Sequence, residues 1–359
     1  MTTIPLFEKK ILSLFSSHTP RLNLLEKKYV VKRLHGSTYW FQKLHSFHPE
    51  VQLRRRDGEK LRLILGLGRS GTTWLARVLA SSPTPLRFFE EPLFHMKPEL
   101  CFNEGSDHTA IDYNPPQQVI ERLLLAYGLL GVKNFDWDRL GIKKFLIRDD
   151  TGFQACLVKE VHGLMACEQI VDHLQCPILF IIRDPIRVVD SLIHAQSFDS
   201  VYLDAESRQL PLNKRFLKTF FPVNFQEITD TYSWISNIRF HRKKIILRKV
   251  LTAGVLTEYF KLISKRFRNT SLITYEQLCL NPWVFFPQLA EFLKIVWDHT
   301  SEIQLQESMR KNSTSHDPYS IFQDTKMQIN RTLAVLSNEE KKAGESILRE
   351  CGLRYRRVY

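Results

Sequence analysis

From residue 61 onward the chain alternates short runs of consecutive apolar residues with longer stretches whose apolar positions recur at helical spacing. Short apolar runs bounded by turn residues read as buried strands, and they fall at 61–65, 86–89, 155–161, 178–182 and 271–274. Between them, Trp74, Leu75, Val78 and Leu79 recur at i, i+1, i+4 and i+5, one buried helix face directly after a glycine-rich turn. Asp184-Pro185 follows the 178–182 run and supplies a helix N-cap and a proline at the first helical position. Helical spacing returns over about 226–267, as one long helix or two broken ones, and over 337–351. Strands alternating with helices predict an α/β fold, a mostly parallel sheet flanked by helices. Residues 199–225 have no clear period and read as loop, so 199–267 is expected to be a loop-rich and helical insertion within a domain spanning 60–359. Residues 1–59 differ in texture: aromatic and basic residues interleave up to the charge run RRRDGEK, the pattern of a mostly helical N-terminal extension.

Composition narrows the partners. Of 359 residues 43% are hydrophobic, enough for a substantial core, and 51 Lys plus Arg against 38 Asp plus Glu leave a net charge of +13. Such a balance suits anionic ligands, acidic polymers or acidic surfaces. The six cysteines form no CxxC pair and show no zinc-type spacing, as expected of reduced thiols in the cytoplasm. No apolar run approaches the roughly 18–20 residues of a membrane span, and the opening MTTIPLFEKK carries charge where a signal peptide has its apolar core. Residues 5–17 are amphipathic and could rest peripherally on a membrane surface. Aromatic stacking platforms for nucleic acid are not evident in the domain, so no nucleic-acid partner is expected.

The turn after the first strand, GLGRSGTTW, fits two phosphate-binding formulas and completes neither. Gly66, Gly68 and Gly71 spell the dinucleotide turn G-x-G-x-x-G, and the acidic pair Glu90-Glu91 stands about where a ribose-binding acid belongs. Gly66, Gly71 and Thr73 match the nucleotide P-loop G-x-x-x-x-G-K-[ST], with Thr72 in the lysine position and the nearest cation, Arg69, inside the loop. A terminal phosphoryl group calls for that lysine and for Mg2+. A sulfuryl group carries less negative charge, so a loop cation with hydroxyls can serve it without metal.

Two motifs in this order resemble a known family. GLGRSGTTWL is similar to the 5′-phosphosulfate loop of the sulfotransferases, which use PAPS (3′-phosphoadenosine 5′-phosphosulfate), and Arg183-Asp-Pro with Ser191 is similar to their 3′-phosphate motif. The resemblance covers about residues 60–359. It implies a P-loop type α/β fold, PAPS as co-substrate with no metal required, and a donor site made of Arg69, Ser70, Gly71, Thr72, Thr73, Trp74, Arg183 and Ser191. FFEEPLFH (88–95) resembles the Glu-Pro segment of the carbohydrate sulfotransferases, which implies Glu91 as base and a glycan hydroxyl as acceptor. His162, in KEVH, is a second candidate base, one residue away from the family's Lys-x-His spacing, and Lys159 on the same strand is a candidate cation at the bridging oxygen. SLITYEQLCLNP (271–282) resembles the family strand bearing a Tyr-Glu-x-Leu segment, and the tail from Ile329, with Arg331, resembles the closing loop and helix. Two other classes stay open: a non-catalytic protein that holds nucleotides or a polyanion on this fold, and an NAD-dependent dinucleotide-fold enzyme.

Overall fold

The computed structural model describes residues 61–84, 86–90, 155–161, 164–174, 176–195, 214–310, 333 and 335–353. Five strands, β1 (Leu61–Gly66), β2 (Leu86–Glu90), β3 (Ala155–Glu160), β4 (Ile178–Ile182) and β5 (Thr270–Thr274), pair in the order β2-β3-β1-β4-β5. Every pairing is parallel, and each strand lies within a residue or so of its expected position. The fold class expected from the alternation is the one observed.

The helices are α1 (Thr72–Ala80), α2 (Cys167–Leu174), α3 (Pro185–Ala195), α4 (Lys214–Phe220), α5 (Phe225–Ser236), α6 (His241–Arg266), α7 (Tyr275–Leu280), α8 (Pro282–Phe292), α9 (His299–Arg310) and α10 (Asn338–Glu350). Side chains alternate across a strand, so each strand feeds two cores. Leu63 and Leu65 of β1, Val158 of β3 and Phe180 of β4 pack with α2, α3, α6 and α10 on one face. Ile64, Leu157, Leu179 and Ile181 pack with α1, α7, α8 and α9 on the other. With both faces covered, the strands read as mainly apolar runs rather than strictly alternating ones, β4 wholly so and β1 interrupted by Arg62.

Register fixes where chemistry can sit. Glu90 lies opposite Lys159, Leu65 opposite Glu160, Gly66 opposite Ile181 and Ile182 opposite Thr274, so the C-terminal ends of all five strands are level. The chain runs outward from β1 to β2, returns to β3, then crosses β1 to reach β4 and β5. The loop after β1 therefore occupies the point where strand order reverses, the usual place for ligands in an open parallel sheet.

One expectation needs adjustment. The stretch 199–225, read as loop, contains α4, where Phe216, Leu217 and Phe220, with Phe221 just after the helix, repeat the i, i+1, i+4, i+5 spacing of α1. Phe216 is fully buried with its ring 5.0 Å from that of Tyr259, and this tertiary burial overrides the weak local pattern. The stretch 226–267 takes the second of its two expected forms, two helices broken at 237–240, and α6 lies in the core with Phe260 stacked on Phe180 of the sheet at 5.2 Å. Tyr275 opens a helix directly after β5, where Thr274 and Gln277 form a capping box that turns the chain. Residues 1–59, Glu91, His162 and Arg331 lie outside the described residues. Among the described residues no helix is long and apolar enough to cross a membrane.

The last helix is fastened to the sheet through α3. Asp190, buried, accepts hydrogen bonds from the backbone N–H groups of Val335 and Leu336, both at 2.9 Å, just before the Ser337 capping box of α10. Asp190→Ala strands two donors and is expected to cost about 2–4 kcal/mol in urea unfolding, whereas Asp190→Asn, which keeps an acceptor, should lose less than half of that. Equal losses in the two variants would show that the contact is not what matters there.

Candidate active site

The loop between β1 and α1 has its shape forced on it. A Cβ on Gly66 would lie 2.5 Å from the Ile181 carbonyl oxygen, because β1 and β4 run too close there for a side chain. Gly71 has φ 85 and leaves only 2.3 Å between a would-be Cβ and the Tyr275 ring, so both backbone and space demand glycine. Arg69 is also left-handed, at φ 68, a strain of roughly 1–2 kcal/mol in a residue with a Cβ. At Gly68, by contrast, a Cβ would meet nothing within 4 Å. Gly71 caps α1 without a side-chain hydrogen bond and the first turn holds no acid, so the helix presents its partial positive end to the loop.

The β4 side of the loop carries the second motif. Arg183 Nη1 donates to the Arg69 carbonyl oxygen at 2.9 Å, and Arg69 Nε donates to Ser191 Oγ at 3.1 Å. The Arg183 guanidinium sits 4.5 Å over the Tyr275 ring. Tyr275 thus fills the gap between Gly71 and Arg183 and sets the height of both. Asp184 is a cap, accepting the Ile186 N–H at 2.9 Å, while its own N–H donates to Glu276 Oε1 at 3.3 Å. Two buried polar atoms in this cluster have no hydrogen-bond partner, Ser70 Oγ and Arg183 Nε. Buried polar groups are ordinarily satisfied, so this pair is a feature that a site reading has to account for.

The β3 side is a charge cluster around Glu90. Glu90 Oε1 accepts from Thr73 Oγ1 at 3.1 Å and lies 3.6 Å from Lys159 Nζ, while its Oε2 takes Arg77 Nη2 at 3.1 Å. Lys159 is 2% exposed, and a buried ammonium needs such a counter-charge. Burial disfavours the Glu90 carboxylate, but the charges of Lys159 and then Arg77, with hydrogen bonds from Arg77 and Thr73, outweigh it and hold the pKa below the usual range.

Of the candidate site residues, Arg69, Ser70, Gly71, Thr73, Lys159, Arg183 and Ser191 come together around one loop. Thr72 is buried with its methyl against Gly66. Trp74 turns into the core: its indole N–H donates to Ser308 Oγ at 2.9 Å and its ring meets Phe286 edge-on at 5.2 Å. Its side chain holds α9 to α1 and is spent there. Two participants were not legible as such. Glu90 looked like a strand-end acid, and only its register opposite Lys159 gives it a role. Tyr275 matters through a contact with a glycine, which leaves no trace in periodicity.

No family model matches this chain, and a search of curated proteins finds no match. Among solved structures, the chain is similar to a mouse sulfotransferase, SULT7A1, complexed with PAP, at 13% identity over 82% of this chain and 84% of that one, with a TM-score of 0.41. It is also similar to a sulfotransferase domain from the curacin biosynthetic pathway, at 12% identity, 82% and 97% coverage and a TM-score of 0.39. A third is a sulfotransferase from Alicyclobacillus acidocaldarius, at 16% identity, 66% and 81% coverage and a TM-score of 0.35.

The Glu90 cluster has a pH signature. A carboxylate whose pKa is depressed on folding adds stability that is fully present above its ordinary value of 4.5 and is lost as pH falls through the lower folded value. The melting-temperature advantage of the native protein over Glu90→Gln should therefore be level between about pH 5 and 7 and shrink below about pH 4. An advantage that persists undiminished to about pH 3 would mean that the ion pairs do not stabilise the fold.

Proposed function

We propose that this protein is a sulfotransferase that moves the sulfuryl group of PAPS to a hydroxyl of a carbohydrate or glycoconjugate and releases 3′,5′-ADP. The observation that carries the reading is the hydrogen bond from Arg183 to the Arg69 carbonyl, which makes the glycine loop and the motif after β4 one site. Two anion-binding elements at one place suit a ligand with two anionic groups a nucleoside apart. The loop N–H groups and the positive end of α1 take the 5′-phosphate, and Arg183 with Ser191 takes the 3′-phosphate. Ser70 Oγ and Arg183 Nε, buried without partners, are donors such a ligand would satisfy.

The dinucleotide alternative loses ground at one residue. Its ribose acid would be in the Glu90-Glu91 pair, yet Glu90 is engaged by Lys159, Thr73 and Arg77. That engagement also argues against Glu90 as a general base, because a carboxylate stabilised in its charged form takes up a proton poorly. Glu91 is the preferred base and His162 the second candidate.

Transfer requires in-line attack of the acceptor oxygen on sulfur. The new O–S bond forms as the bond from sulfur to the 5′-phosphate oxygen breaks, the acceptor proton passes to the base, and the electron pair leaves with the phosphate. In this reading Arg69, Thr73, the loop N–H groups and Lys159 stabilise that departing charge. The cations for this step come from Arg69 of the loop and Lys159 of β3, without a metal.

The test is transfer of labelled sulfate from PAPS to a panel of glycan, phenol and alcohol acceptors. Arg183→Ala is expected to raise the PAPS KM by roughly 10–100-fold, the worth of a charge-assisted phosphate contact. Glu91→Gln should lower kcat by about 10²–10⁴ with donor binding kept. A large kcat loss in His162→Ala with Glu91→Gln unaffected would reverse the choice of base. Binding of PAPS with no transfer to any acceptor would contradict the assignment as an enzyme and favour a nucleotide-holding protein.

A further inference from the structure

We propose that Glu90 is a specificity-determining residue that rejects a terminal phosphoryl group and admits a sulfuryl group at the end of the donor site. The inference rests on the donor-site reading above. Strand order places Arg183 and Ser191 on the β4 side of the loop and Lys159 and Glu90 on the β3 side. With the nucleoside and its 3′-phosphate on the first side and the 5′-phosphate in the loop, the group beyond that phosphate extends toward the second. There it meets Thr73 and Lys159, and both already contact the Glu90 carboxylate, at 3.1 Å and 3.6 Å.

The carboxylate therefore sets the charge of this end of the site. Lys159 and Arg77 contribute two positive charges and Glu90 removes one, which leaves a single net positive charge among the three. That matches a sulfuryl group with one negative charge. A terminal phosphoryl group carries about −1.5 to −2 at neutral pH and would face both an undersized cationic field and the Glu90 oxygens. The phosphate-type loop lysine is missing at Thr72 for a consistent reason: adding it would favour the dianion. A nucleotide that carries the 3′-phosphate and ends in a phosphoryl group shares every other feature of the donor, so against it discrimination has to be made at the terminal group and needs a repulsive element. Glu90 is 30% exposed on its side chain, so it is near enough to solvent to be met by an entering ligand and buried enough for its charge to be felt.

The experiment is metal-free calorimetric titration of the full chain with three probes: PAPS, adenosine 3′-phosphate 5′-diphosphate, which ends in a phosphoryl group, and 3′,5′-ADP, which has no terminal group. The native protein is expected to bind PAPS at least about tenfold more tightly than the phosphoryl probe, the size of one unfavourable charge contact partly exposed to water. Glu90→Gln keeps an acceptor for Thr73 and should bring that ratio within about threefold by tightening the phosphoryl probe more than it tightens PAPS. Glu90→Asp, which keeps the charge, should retain the preference. A ratio that does not move in Glu90→Gln, or a native protein with no preference for PAPS, overturns the proposal, and the second outcome needs no variant that folds. Failure of the native protein to bind 3′,5′-ADP is a different result and removes the donor site itself.

Discussion

The contact on which the site depends is the hydrogen bond from the Arg183 guanidinium to the carbonyl of Arg69. It spans a gap that no local sequence pattern closes, joining a loop after β1 to a residue after β4. It is possible because β1 and β4 are neighbours in a parallel sheet with their C-terminal ends level. That in turn requires Gly66, since a side chain there would collide with β4, and Tyr275, whose ring wedges between Gly71 and Arg183. A left-handed Arg69 is the conformational cost of turning its carbonyl toward Arg183 and its side chain toward Ser191. Close packing of the sheet thus determines the geometry of the candidate site.

Around that site the charges fall into two groups with different tasks. On the β4 side, Arg183 and Ser70 are buried with polar atoms left open, an arrangement that costs free energy unless a ligand completes it. On the β3 side Glu90 neutralises part of the Lys159 and Arg77 charge and fixes Thr73. Under the proposed function, the first side holds the retained nucleotide and the second faces the group to be given away.

Much of the fold was legible because buried parallel strands announce themselves as apolar runs, and all five are where the runs predict. The loop was legible for a related reason, since Gly66, Gly71 and the hydroxyls around them have narrow physical uses. What escaped was set by tertiary contact. The helix Lys214–Phe220 is short, its one repeat of helical spacing sits among polar neighbours, and it is stabilised by burial beside Tyr259. Trp74, grouped with the ligand-binding residues by its place in the motif, serves packing because Ser308 on a helix more than two hundred residues away takes its N–H. Glu90 gains its role from strand pairing, where Lys159 stands directly opposite, and no spacing rule links residues that far apart.

The central claim is that the loop and Arg183 together hold a nucleotide with phosphates at both its 3′ and 5′ positions. Titration of the native protein with 3′,5′-ADP, ADP and NAD in the absence of metal tests it most directly. Tight binding of 3′,5′-ADP, with ADP and NAD far weaker, is the result expected if Arg183 and Ser191 grip a 3′-phosphate. Equal binding of all three, or a preference for NAD, would contradict it.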